Sequence, residues 1–541
     1  MHSLFLHTDA REPRPLRLYE SLRERIVEGE LKPGERLPPT RAVARDLAMP
    51  RSVVVAAYRQ LLSEGYVQAR VGSGTWVSPV VPDALLTAPP AHRPRRNGSR
   101  AEPRLSELAR HAVAANPARL ERRLARAERE CISFSLESAL ADGISTEIWT
   151  RLVRGHLEHP PPGYGPPEGC LELRRALAEY LRQSRGIAAD PEQIVTVAGA
   201  QQGIDLLARA LLQPGDGVVI EDPGFRGARL AFETLGARIV ACPVDRSGID
   251  IRRAAERPAE TPAAEAAGLR AGRQGRRPLQ PQASGSPVER EGAIRLAFVT
   301  PSHQFPTGEV MSLARRRELL DWAHAANAIV VEDDYEGEFR FAGRPLPAIH
   351  ALDGEARVVY LGTFSRILYP DLRLGYMVLP RSLVEPIAAL KRLSDGFTPV
   401  TPQAALADFI GGGHYQRHLR RLQRQMRDRR HALLASLEAE LGDAVEVTGA
   451  ASGLHVAVWF HEPGPQAEGA LVANARDLRV SVHPLSPFCI TAPSRLGVLL
   501  GYSRLRDAEI REGVRRLAMA WRATRRALVA PAASGLAVAR G

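Results

Sequence analysis

The chain has 541 residues, more than one compact domain holds, with 44% hydrophobic and 25% charged side chains, the balance of a water-soluble globular protein. No apolar run approaches the roughly 20 residues that cross a bilayer, and the start, MHSLFLHTDAREP, lacks the basic-then-apolar order of a secretory signal, so a cytoplasmic location is expected. The formal net charge of +12 points to a polyanionic partner, although the bias toward arginine weakens that argument: only two lysines, Lys32 and Lys391, occur in the whole chain.

Residues 14–79 read as a self-contained block. PLRLYESLRERIVEGEL carries Leu18, Leu22 and Ile26 at helical spacing. KPGERLPP is a turn, and TRAVARDLAM a short helix with Thr40 placed to cap it. PRSVVVAAYRQLLSEG is a second short helix ended by Gly65. YVQAR and TWVSP then form a hairpin through VGSG. Two short helices followed by a Gly-turned hairpin match a winged helix-turn-helix, which sets its second helix in the major groove and its wing on the backbone. The candidate DNA contacts are Arg41, Arg51 and Ser52 at the helix starts, and Gly72, Gly74 and Thr75 in the wing.

The wording of this block resembles the GntR-type winged helix over its whole length, most specifically in GELKPGERLP and in EGY followed by GSGT. One departure stands out. The family's hydroxyl-rich turn, Ser-Arg-Thr-Thr, is here Pro50-Arg51-Ser52-Val53, and Val53 cannot donate to a phosphate.

Residues 80–134 are rich in Pro, Ala and Arg, with 11 arginines against 6 acidic residues across 81–135, and read as a basic flexible linker. From 135 to 529 strand and helix patterns alternate, as in an α/β domain. IVTVAGA, GDGVVIED, ARIVACPV, IRLAFVTP, AIVVEDD and RVVYLGTF are short apolar runs suited to a buried, mostly parallel sheet. Residues from about 254 to 293 break the pattern as a disordered surface insertion, and the last dozen residues read as a frayed tail. Cys131, Cys170, Cys242 and Cys489 lie far apart with no CxxC or Cys/His spacing, so free thiols are expected, and no metal site.

Five segments of this second region occur in a telling order: YGPPEGCLELRRALAEYL (164–181), TVAGAQQGIDLLARALLQPGDGVVIEDPGF (196–225), TPSHQFPTG (300–308), VVEDDYEGEFRF (330–341) and GTFSRILYPDLRLGY (362–376). They resemble the fold type I aminotransferase-like domain of the MocR branch of GntR regulators. The resemblance implies a PLP-dependent-transferase-like fold with a mixed, mostly parallel sheet and a smaller C-terminal α/β subdomain. It also implies a pocket for pyridoxal 5′-phosphate (PLP). Gly199, Ala200 and Gln201, between a strand and a helix, offer backbone N–H groups to a phosphate. Thr363 and Ser365 add hydroxyls, and Arg373 a fixed charge. Asp333 takes the position that keeps the ring nitrogen protonated, Tyr335 faces the phenolic oxygen, Phe225 stacks on the ring, and His303, with Gln304, lines the same side. Taken singly these are ordinary features, since EDD is often a solvated strand end and GAQQ a common helix start.

The family's Schiff-base lysine follows GTFS directly, and here that residue is Arg366. A guanidinium, with a pKa above about 12, stays a delocalised cation and is a very poor nucleophile. Lys32 lies in the winged helix, and Lys391, in EPIAALKRL, is expected on a solvated helix face. Arg495, before LGVLLGY, sits early for the arginine that binds a substrate carboxylate in relatives. No catalytic residue is therefore assigned. Three states of the pocket stay open: PLP or its amine form held non-covalently, another anion held by Arg366 and Arg373, or an empty scaffold retained for folding and dimerisation. The leading expectation is a homodimeric DNA-binding regulator that responds to a small-molecule effector and lacks transaminase activity. A PLP aminotransferase with a DNA-binding appendage and a constitutive DNA-binding dimer are the alternatives.

Overall fold

The computed structural model describes residues 14–70, 72–83, 104–115, 131–136, 146–159, 163–256, 292–343 and 346–529. The chain divides near residue 104 into two compact units. The expected insertion falls largely outside the described residues, as do the frayed tail and most of the expected linker.

The first unit packs helices α1 (Arg14–Val27), α2 (Thr40–Asp46) and α3 (Arg51–Ser63) with the hairpin β1 (Val67–Arg70) and β2 (Gly74–Val77). Leu18, Leu22 and Ile26 of α1 meet Val54, Ala57 and Leu61 of α3 in one core, so the 3.6-residue period read from the sequence is the buried face. Two end assignments shift. Thr40 is the first helical residue and does not cap α2; Pro39 takes the capping position and no side chain completes it. Pro50 likewise caps α3, leaving Arg51 as its first residue. Proline serves both places because extended backbone is needed there and its missing N–H loses nothing.

Inside the stretch read as a linker, Glu107–Ala115 is helical and packs near the helix Arg226–Thr234, and β3 (Ile132–Ser133) pairs in parallel with β14 (Val480–Ser481). The second unit is built on an eight-stranded sheet of β4 (Ile194–Val197), β5 (Gly217–Asp222), β6 (Arg238–Asp245), β7 (Gly248–Ile249), β8 (Ile294–Val299), β9 (Ile329–Asp334), β10 (Val358–Thr363) and β11 (Gly375–Val378). Its spatial order is β4-β11-β10-β9-β8-β5-β6-β7. The central pairs are parallel, β11 runs antiparallel between β4 and β10, and β7 is antiparallel at the other edge. The core strands are mostly apolar because helices cover the sheet's faces, among them α4 (Ala200–Leu211), α5 (Arg226–Thr234), α6 (Leu313–Ala326) and α7 (Arg381–Ser394).

A smaller antiparallel sheet, in the order β12-β13-β16-β15, joins β12 (Val445–Thr448), β13 (His455–Phe460), β15 (His483–Pro484) and β16 (Leu496–Gly501). It packs with the long helices α8 (His414–Leu441) and α9 (Asp507–Val529), sharing Leu433, Leu437, Phe460, Val498 and Leu517 in one core. All four cysteines are free thiols. Among the described residues no helix is long and apolar enough to cross a membrane.

Candidate functional site

In the first unit, Arg41, Arg51 and Ser52 are all exposed at the starts of α2 and α3, where they can reach a phosphate or a base edge. Gly72 and Gly74 turn the wing at φ 76° and 103°, and Thr75 is half-buried on β2. Trp76 anchors the wing root between the guanidinium groups of Arg36 and Arg70, 5.8 and 5.3 Å from its ring.

In the second unit the expected pocket residues gather at the carboxyl ends of the parallel strands, where open α/β sheets bind ligands. Gly199 precedes α4 with φ 99°, a left-handed value that glycine tolerates. A Cβ there would also crowd the Arg373 guanidinium, 3.4 Å away, so Arg373 lies against the start of the helix. Ala200 and Gln201 form its first turn, whose N–H groups have no intrahelical acceptor. Register brings the other half of the cradle alongside. Val197, Gly375 and Thr363 stand level across β4, β11 and β10, and the Thr363 hydroxyl lies 3.2 Å from Ser365 Oγ. Helix start, two hydroxyls and one arginine thus lie together, an arrangement whose chemistry suits an anion.

Strand alternation sorts the three carboxylates at the end of β9. Glu332 accepts from the N–H groups of Ile349 and His350 at 3.0 and 2.9 Å. Asp334 pairs with Arg185 at 2.7 Å and accepts from the Tyr360 hydroxyl at 2.6 Å. Asp333 points the other way, and its Oδ1 is buried without a hydrogen-bond partner. Burial, with the charges of Asp334 and Glu221, pushes its pKa up to about 8 against the pull of Arg366. The Tyr335 hydroxyl is a second buried atom without a partner. A carboxyl group that retains a proton and a phenol without an acceptor are what a pyridine nitrogen and a phenolic oxygen would satisfy, so these residues fit PLP. When bound, that group supplies an aldehyde that condenses with primary amines. Phe225 precedes α5 and packs against Phe298 and Phe305, with ring centroids 6.4 and 5.9 Å away.

Arg366 sits in the tight turn after β10 with its guanidinium engaged. Nη1 donates to the Leu136 carbonyl, and Nε lies 3.6 Å from Glu336 Oε1. Burial alone would raise the Glu336 pKa, but His455 and the Arg366 charge outweigh it and bring it down to about 2. Burial and the neighbouring His455 push His303 down to about 3, which keeps it neutral. His303 lies 6.0 Å, ring to ring, from Tyr335 and faces Glu336.

One expectation changes. Lys391 is not solvated: its side chain is fully buried and pairs with Asp395 at 3.3 Å, and burial holds its pKa below the ordinary lysine value. Arg495 is committed to Glu446 at 2.7 Å and stacks over Trp459. Gln304 is spent on structure, donating to Glu221 and to the carbonyls of Pro223 and Phe305. Sequence reading missed Glu221, Glu336 and His455. Glu221 alone left a local trace, a carboxylate on the buried strand VVIED. A cleft of about 820 Å³ is lined by Asp222, Asp250, Arg252, Arg253 and Trp459. It includes none of the expected cofactor residues.

Two protein families match the chain. Bacterial regulatory proteins of the gntR family match residues 15–77, and the aminotransferase class I and II family matches residues 141–517. The chain is 34% identical to the probable rhizopine catabolism regulatory protein MocR of Rhizobium meliloti, over 99% of this chain and all of that one. It is 29% identical to the pyridoxine biosynthesis transcriptional regulator PdxR of Corynebacterium glutamicum, over 90% and 91% of the two chains. Among solved structures, the α-aminoadipate aminotransferase LysN of Thermus thermophilus, complexed with N-(5′-phosphopyridoxyl)-L-leucine, superposes with a TM-score of 0.65 at 26% identity. That match covers 79% of this chain and 98% of that one.

Proposed function

The chain belongs to the MocR type of gntR-family regulator, with an aminotransferase class I and II domain, and from that premise we propose that this domain senses PLP, or a related anion, without attaching it. The observation that carries the reading is Arg366, placed directly after Gly362-Thr363-Phe364-Ser365, the position to which the family resemblance assigns a lysine. The anion cradle and the two unpartnered atoms at Asp333 and Tyr335 support retention of binding. The buried pairing of Lys391 argues against a substitute amine, since an amine that reacts must reach the aldehyde. Loss of the lysine also removes the group that moves protons in transamination, so turnover is not expected.

Homodimerisation is part of this reading. Tyr164, in the YGPPEG segment, is 93% exposed, and in this reading the second copy of a symmetric dimer covers it. Two winged helices per dimer would then meet paired half-sites. A ligand alters DNA affinity only so far as it binds two arrangements of the dimer unequally.

Calorimetric titration of the full-length protein with PLP and with pyridoxamine phosphate, read together with a DNA mobility shift, tests the proposal. Heat of binding together with a changed DNA affinity supports sensing. Absence of heat for both compounds would leave a constitutive DNA-binding dimer on a scaffold domain.

A further inference from the structure

Beside the cofactor pocket, three side chains far apart in sequence meet in the interior. His303 comes from the turn after β8, Glu336 from just past β9, and His455 from the first residue of β13. All are buried, and their ligand atoms lie within 4.8 Å of one another. Glu336 Oε2 is 3.7 Å from His303 Nε2 and 3.7 Å from His455 Nδ1.

The surrounding hydrogen bonds fix what each nitrogen presents. The Ser452 hydroxyl donates to the Ser302 carbonyl at 3.4 Å, so its oxygen accepts from His303 Nδ1 at 3.1 Å. His303 Nε2 is then a lone pair, buried and without a hydrogen-bond partner. His455 Nε2 faces the Pro306 carbonyl at 3.1 Å, a pure acceptor, so that nitrogen carries a hydrogen, and in the neutral ring that a metal ion takes Nδ1 is the lone pair. Arg366 attends Glu336 Oε1, leaving Oε2 turned toward both imidazoles. Oε2 accepts from the Leu454 N–H at 2.8 Å and stands 3.7 Å from each ring nitrogen. At 3.7 Å those separations exceed hydrogen-bond length. With both rings neutral, three electron-pair donors thus face one another within 4.8 Å.

We propose that His303, Glu336 and His455 form a binding site for a divalent first-row transition ion. Two imidazoles and a carboxylate are the donor set that such ions take, with bonds of about 2.0–2.2 Å. Oxygen–nitrogen separations of 3.7 Å suit a shared ion at that bond length. Each histidine gives its other N–H to an outer acceptor, the arrangement that orients metal-ligating imidazoles. A Cβ built at Gly453 would overlap Nε2, Cε1 and Cδ2 of His303 alike. That glycine therefore lies on the ring's face and leaves the in-plane lone pair unobstructed. The absence of metal-ligand spacing in the sequence is no objection, because the ligands come from both sheets. Ion binding would pin β13 of the smaller sheet to the ends of β8 and β9 in the larger one.

The test uses untagged full-length protein stripped with EDTA and dialysed against zinc, with cobalt(II) as a spectroscopic probe. The expected result is one zinc per chain, a higher melting temperature with zinc, and a visible ligand-field band with cobalt. Glu336→Gln, folded by circular dichroism, should bind zinc more than about tenfold more weakly. If that variant does not fold, the cobalt spectrum of the unaltered protein decides the matter alone. Substoichiometric zinc, an unchanged affinity in folded Glu336→Gln, or no ligand-field band in the unaltered protein would overturn the assignment.

Discussion

Arg366 Nε lies 3.6 Å from Glu336 Oε1, so the residue at the expected lysine position is held against a buried carboxylate. Its guanidinium also bonds the Leu136 carbonyl. The arginine is thus built into the pocket wall and neutralises a charge that burial would otherwise penalise.

Arg366→Lys places a primary amine at the position expected to hold it. We expect this variant to gain a borohydride-reducible attachment to PLP, seen as added mass on the peptide holding residue 366. It should also lose some thermal stability through the weaker hold on Leu136 and Glu336. Absence of any added mass would mean that the pocket no longer presents the aldehyde to this position.

Asp333 supplies a pH prediction. Its folded pKa of about 8 stands above the unfolded carboxylate value, so the folded apo protein keeps a proton that the unfolded chain has lost. Its contribution to stability therefore falls as pH rises from about 4 to about 8. Asp333→Asn should flatten that decline, melting higher than the unaltered protein at pH 8 and no higher at pH 4, while binding PLP more weakly. Melting curves of both apo proteins across this range provide the check.

Lys391 should matter for folding alone. Lys391→Ala leaves a cavity and an unpaired Asp395, and we expect a loss of about 1–3 kcal/mol in denaturant unfolding. PLP affinity should not change, and equilibrium dialysis measures it.

On the DNA side, Arg51→Ala and Arg41→Ala should each weaken operator binding by about 1–3 kcal/mol. A residue that contacts phosphate also lowers the slope of log affinity against log salt by about one. A residue that reads a base leaves that slope unchanged and relaxes sequence preference, so mobility shifts at several salt concentrations separate the two roles.

Much of this was legible in the sequence because it is local. The period of α1, the glycine that ends α3, the glycine-turned wing and the apolar strand runs each reflect neighbours along the chain. Asp333 and Tyr335 were legible through a resemblance, and the structure adds that both end in buried atoms without partners. Lys391 was misread because charge was weighed above period. Ile387, Ala388 and Lys391 share one helical face, and that face is buried. His303, Glu336 and His455 meet only through tertiary folding across two sheets, and no spacing along the chain could reveal that.

The most direct measurement of the central claim is the intact mass of the unaltered protein, saturated with PLP, reduced with borohydride and then denatured. Reversible binding by dialysis with no added phosphopyridoxyl mass is the predicted result. A stoichiometric adduct on either lysine of the chain would contradict it.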